Sequence, residues 1–468
     1  MELWISWFEG VLALRPACAR TRTFLWMTLA LVGFSIRGDL LGVTSFIRAC
    51  FLEDTKYRRL LHFFHSPALH LQKLTALWVQ LAFRWFSPVT FGGYALLIAD
   101  GLKVPKEGKK MPAVKSLHQE SENNSKAAFI MGHSLQAIGL LVHGSVGQFF
   151  CVPLASRIHE GLVWSNRDQR TLLDKLVGLF LEIVAFLPQK SILIADAYYA
   201  SKKVIKPLLR GGHHLVTRVR ITTRAYHQAP PAQNPKPGRP KFYGKKVLLR
   251  DYFKRPQDFV TALSPVYGET NVWIQYLCLD LLWRPVGQLV RFVLVKHPTR
   301  GRMILMTTLT TLAPLDLIRL YGYRFKIEVS FKQALHTLGT YAYHFWMKAM
   351  PPLRKGRGNQ YLHRETEPYR QQIKRKVAAY HRYIQLGCIA QGLLQYLSVT
   401  FGKTVWRCFG SWLRTMNQDK APSEMVVAQA LRASLPQFLV VKHGSHDLEK
   451  FIVENADVSR MPELRLVG

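Results

Sequence analysis

Three acidic residues far apart in the chain stand where side chains could hold a divalent cation. Asp100 and Asp196 each close a short apolar run, Leu96-Leu-Ile-Ala-Asp100-Gly and Ile192-Leu-Ile-Ala-Asp196-Ala. The third, Glu328, shares a short stretch with Tyr321, Arg324 and Lys332. At 3.6 residues per turn these four are expected on one face of a single helix. Mg²⁺ prefers hard oxygen ligands and leaves positions open for water and phosphate oxygens. Two such ions can activate a nucleophile and stabilise a leaving oxygen in phosphoryl transfer. Each residue also has a plainer reading. Asp100-Gly101 is a turn dipeptide, Asp196 can cap a helix, and Arg324 with Glu328 can be an ordinary i,i+4 ion pair.

The surrounding pattern says which elements must carry them. Residues 94–99, 127–142 and 148–154 read as strands, 171–187 as a helix, and 191–195 as a buried central strand. That order, three strands, a helix and a fourth strand, puts Asp100 and Asp196 on adjacent strands at one sheet edge. Strand-like runs return over 245–310, including 272–277 and 289–295, as an insertion before the Glu328 helix. Residues 1–88 read as helices. The expected organisation is a helical domain at 1–88, the first part of an α/β core at 89–218, and a β-rich insertion with a basic loop at 219–312. The last part of the core, with the Glu328 helix and a basic segment, follows at 313–400, and a helical region at 401–468.

Composition narrows the partner. Lys and Arg number 64 against 29 Asp and Glu, a formal charge of +35, which favours a polyanion: nucleic acid first, an anionic membrane surface second. Residues 201–250 hold 13 Lys or Arg and no acidic residue. Within them, Arg239 and Lys241 lie in a Pro-rich stretch that a minor groove could accept, and Arg58 and Arg59 could touch phosphates from the helical segment. The apolar run at 24–36 is too short to span a bilayer. Six scattered cysteines without a C-x2-C pair suggest reduced thiols, not a zinc site or disulfide framework. A soluble, cytoplasmic protein is expected.

With these residues in view, the chain resembles a DDE transposase with a ribonuclease-H-like core, a mixed sheet flanked by helices. More narrowly it is similar to the insertion-sequence-four group, whose last catalytic helix carries Tyr-x2-Arg-x3-Glu-x6-Lys. Tyr321, Arg324 and Glu328 match, and Leu335 stands where the lysine would be. The resemblance implies that Asp100, Asp196 and Glu328 bind two Mg²⁺ ions, with Mn²⁺ as an alternative. It also implies that Tyr321 and Arg324 approach DNA phosphate, and that 1–88 binds DNA. Lys332 or His336 would replace the missing lysine. The implied partners are double-stranded DNA, as the terminal inverted repeats of an element and as target, and a second copy of the chain on paired ends. Gly132-His133 resembles a pair found near the first aspartate in the superfamily, and Trp273 or Trp283 could stack on a flipped base. A core histidine and core tryptophans are the plainer readings. A non-catalytic DNA-binding protein derived from such an enzyme is the alternative function.

Overall fold

The computed structural model describes residues 2–119, 127–145, 147–231, 240–414, 416–440, 446–457 and 459. Arg239 and most of the Pro-rich stretch around it lie outside the described residues. The chain opens with helices α1 (Glu2–Ala13), α2 (Thr21–Ile36), α3 (Thr44–Ala49), α4 (Lys56–His65) and α5 (Leu71–Trp85). α2 is buried on nearly every side, as a helix without a polar face must be. These helices share one hydrophobic core with the long α10 described below.

The core sheet starts with β1 (Tyr94–Pro105), β2 (Phe129–His143) and β3 (Phe149–Ile158), joined antiparallel. Helix α6 (Leu172–Val184) crosses over to β4 (Ser191–Ala195), and α7 (Lys202–Arg210) leads to β5 (His214–Val219). A capping box between Thr171 and Asp174 starts α6, satisfying amides that would otherwise be orphaned. The strand order is β3-β2-β1-β4-β5, with β4 parallel to both neighbours. Alternation across the pleat sends Leu96, Ile98, Ile192 and Ile194 to one face and Leu97, Ala99, Leu193 and Ala195 to the other. Each face is covered, which explains why these runs are apolar throughout.

One expectation changes at β1. The apolar run does end at Ala99, but the strand continues to Pro105 because β2 keeps pairing with it down to Pro105↔Gly132. Asp100 therefore sits within a strand and not at a turn. It pairs with Ala137 of β2, at the level where β1 has left β4.

The insertion contributes β6 (Arg224–Gln228), β7 (Tyr243–Leu248), β8 (Val260–Leu263), β9 (Trp273–Trp283), β10 (Gln288–His297) and β11 (Gly301–Thr307). β11 pairs with β5, and β10 and β9 follow in turn. The insertion thus prolongs the core sheet through continuous backbone hydrogen bonding. After it come α8 (Pro314–Gly322) and α9 (Phe325–His336), then α10 (Glu367–Thr400), α11 (Gly402–Phe409) and α12 (Glu424–Val440). α8 packs its Leu317, Ile318 and Leu320 on the face that carries Leu96 and Ile98.

The run from Tyr321 to Lys332 is not one helix. The backbone tightens at Tyr323 and Arg324, whose N–H groups donate to Leu320 and Tyr321 in i→i−3 fashion. Gly322, a poor helix former, precedes the joint. Tyr321 consequently stands in the last turn of α8, and Arg324 caps α9.

Candidate active site

The parallel register of β1 and β4 runs from Ala95↔Ser191 to Ile98↔Ile194. Continued by two residues, it sets Asp100 beside Asp196. Both follow the same alternation as Ile98 and Ile194, so both belong to the face that α8 and α9 cover. Asp196 leaves β4 as the cap of a short 3₁₀ turn, its carboxylate accepting from the Tyr198 amide at 2.9 Å. Its carbonyl accepts from Thr217 Oγ1 on β5 at 2.6 Å. Capping and a ligand role are compatible, since a carboxylate has further lone pairs to offer.

Asp100 Oδ1 accepts from the Gly101 amide at 2.8 Å, and Oδ2 accepts from Arg324 Nη1 at 2.9 Å. Arg324 Nη2 donates to Glu328 Oε1 on the next turn of α9. A single guanidinium thus links a carboxylate on β1 to one on α9. Burial pushes the Asp100 carboxyl up to about 6; Arg324 and the Gly101 amide pull against this, while the charges of Asp196 and Glu328 add to it. Asp100 therefore feels the charge of both other carboxylates.

Tyr321 is half-buried at the end of α8. Burial raises its phenol, and Arg324, Arg218 and Asp196 also act on it. Beneath the aspartates lies Tyr199, buried, with its hydroxyl donating to Gln136 Oε1 at 2.9 Å. Sequence reasoning missed Tyr199, Gln136, Thr217 and Arg218. Tyr199 stands three residues after Asp196, and Thr217 and Arg218 lie near the end of β5, so closeness to a strand end was the available signal for these three; Gln136, inside β2, offered none.

Among the described residues, no three His, Cys, Asp or Glu side chains surround one point closely enough to hold a metal ion as they stand. The donor chemistry nevertheless suits a hard divalent cation: three carboxylates, one of them half-buried and drawing on a guanidinium for its counter-charge. Asp100, Asp196 and Glu328 are the residues that could hold it.

Other expected residues fall into clear places. Lys332 is exposed on α9, and His336 is exposed at its end. Leu335 is half-buried and packs against the main core, so an apolar packing residue fills the position of the missing lysine. Arg58 and Arg59 are exposed on α4, and Lys241 is exposed before β7. His133 is a core residue. It is fully buried, with Nε2 3.0 Å from the Pro112 carbonyl and its ring stacked on Phe345, and burial lowers its pKa to about 3. Trp283 is buried, whereas Trp273 is exposed at the start of β9.

No helix among the described residues is long and apolar enough to cross a membrane. No curated protein matches the chain. The family described as DDE superfamily endonuclease matches residues 17–266, more than half of the 468. The match covers Asp100 and Asp196 and ends before Glu328. With a mixed sheet ordered β3-β2-β1-β4-β5, Asp100 on β1 and Asp196 just past the end of the neighbouring β4, and this match, the chain belongs to the DDE superfamily endonucleases.

Proposed function

We propose that this protein is a DNA transposase of the insertion-sequence-four type. It cleaves at the ends of a mobile element and joins the freed 3′-OH to target DNA, with Asp100, Asp196 and Glu328 as the catalytic carboxylates. The observation that carries the reading is the link between β1 and α9: Arg324 ties Asp100 to Glu328, while Asp196 follows directly on β4, the parallel neighbour of β1. Divalent metal, Mg²⁺ with Mn²⁺ as a substitute, held by these carboxylates would supply activation of an attacking oxygen and charge stabilisation at phosphorus.

The chain's own residues do the rest. Arg324 and Tyr321 offer N–H and O–H donors to phosphate oxygens beside the carboxylates. Tyr199, buried in the main core and hydrogen-bonded to Gln136, braces the chain segment that follows Asp196. Lys332, exposed one turn beyond Glu328, would contact a flanking phosphate. Arg58, Arg59 and Lys241 add to a basic surface whose affinity for double-stranded DNA comes from counterion release. Because an element has two ends, a homodimer on paired ends is the expected working form.

A second reading, a non-catalytic DNA-binding descendant of such an enzyme, draws on Leu335, which is committed to packing where the group carries a lysine. Cleavage of element-end DNA with Mg²⁺ decides between them. Wild-type protein should nick the ends and Glu328→Gln should not; equal inactivity of both at full DNA binding supports the second reading.

A further inference from the structure

We infer that Arg324 is a resident counter-cation of the carboxylate centre, and that a divalent ion must displace it before Asp100 and Glu328 can become ligands. The inference rests on the proposed metal-dependent reading of the site and adds a regulatory step to it. Its basis is geometric. An arginine fork normally presents two nitrogens to one carboxylate. Here Nη1 goes to Asp100 Oδ2 at 2.9 Å and Nη2 goes to Glu328 Oε1, on two carboxylates 228 positions apart. The guanidinium thus lies between two of the three acidic groups that would share a cation. It takes one oxygen from each, and it supplies the positive charge that keeps them together.

The guanidinium also has room to leave. Its side chain is 23% exposed, and Glu328, its second partner, is 54% exposed at the surface of α9. Arg324 stands at the joint between α8 and α9, where the turn separates two helices. Displacement breaks two ion pairs and needs no helix to unfold. The freed fork would keep its charge, because a guanidinium does not deprotonate in proteins. A DNA phosphate entering beside the metal offers it a new partner. Metal and phosphate would therefore bind cooperatively, each removing a cost of binding the other.

The direct test is Mn²⁺ binding to the full-length, DNA-free protein, followed by the loss of the free-ion electron paramagnetic resonance signal. Wild type, Arg324→Ala, Arg324→Lys and Asp100→Asn are compared, with thermal melts to establish folding. Arg324→Ala should bind Mn²⁺ tighter by about five- to tenfold, within the usual range of site–site coupling. Arg324→Lys should bind about threefold tighter, because one ammonium cannot bridge two carboxylates as the planar fork does. If Asp100→Asn removes binding while both arginine variants bind as wild type or more weakly, the counter-cation role is overturned and the metal site stands. If Asp100→Asn leaves Mn²⁺ binding unchanged, the metal reading of the site falls instead. Should Arg324→Ala fail to fold, Arg324→Lys carries the comparison: tighter binding supports the role, and equal or weaker binding overturns it.

Discussion

The buried guanidinium of Arg37, at the end of α2, donates to the main-chain carbonyl of Leu338, just past the helix that carries Glu328. It also donates to Gly42 O at 3.2 Å, Ser45 Oγ at 2.9 Å and Tyr383 Oη at 3.2 Å. The rings of Phe34 and Phe46 flank it, each 4.8 Å from its centre. One residue of the N-terminal helices thereby anchors the C-terminal end of α9. Removing it leaves several buried acceptors unpaired, so Arg37→Ala should cost about 2–4 kcal/mol of stability. Denaturant unfolding measures this, and a loss below about 1 kcal/mol would mean that the acceptors find other partners.

The candidate carboxylates should separate chemistry from binding. Asp100→Asn, Asp196→Asn and Glu328→Gln should each lower Mg²⁺-dependent cleavage by about a thousandfold or more. DNA affinity should stay within about threefold of wild type, because the phosphate contacts come from cations elsewhere. Parallel loss of affinity in all three, measured by anisotropy, would assign them to folding.

Asp100 should leave a signature in stability against pH without divalent cations. Its folded-state pKa is raised to about 6 by burial, while the unfolded carboxyl titrates near about 4. Between these values the folded state holds more protons, so stability falls as pH rises from about 4 to about 6 and does not return above. Asp100→Asn lacks this titration. Its stability relative to wild type should therefore grow over that window and then level off; a flat difference between the two proteins would contradict the assignment.

Leu335→Lys tests what the departure from the Tyr-Arg-Glu-Lys pattern means. Leu335 packs on the main core, so a lysine there must bury its stem or push its charge out past α9. The change should destabilise the protein by about 1–3 kcal/mol and leave DNA affinity no higher. A gain in end binding with unchanged stability would show that the position can reach DNA after all.

Lys332 should account for one phosphate contact. Lys332→Ala is expected to reduce the slope of log K against log salt by about 1, as loss of a single phosphate contact does. Lys326 is a poor control, because its ammonium lies 4.0 Å from the centre of the Tyr267 ring and is held by packing. Lys403, exposed on α11, serves better and should leave the slope unchanged. Equal slopes for the two variants would return Lys332 to the general basic surface.

Local pattern was enough for the elements that carry the site. An apolar run of only five or six residues is too short for a buried helix such as α2 and reads as a strand covered on both faces, so 94–99 and 191–195 were legible with the aspartates that follow them. The pairing of Arg324 with Glu328 was equally legible, because i and i+4 meet on any helix. Long-range packing decided the remainder. That Asp100 continues beyond the apolar run inside β1 depends on hydrogen bonds from β2, more than thirty residues away. The break after Gly322, the turn of Leu335 toward the core and the burial of His133 and Trp283 all depend on which surfaces press against them. The bond from Arg324 to Asp100 spans 224 positions. Periodicity tells a side chain which face of its own element it occupies; only the packed fold determines which charge from another element meets it there.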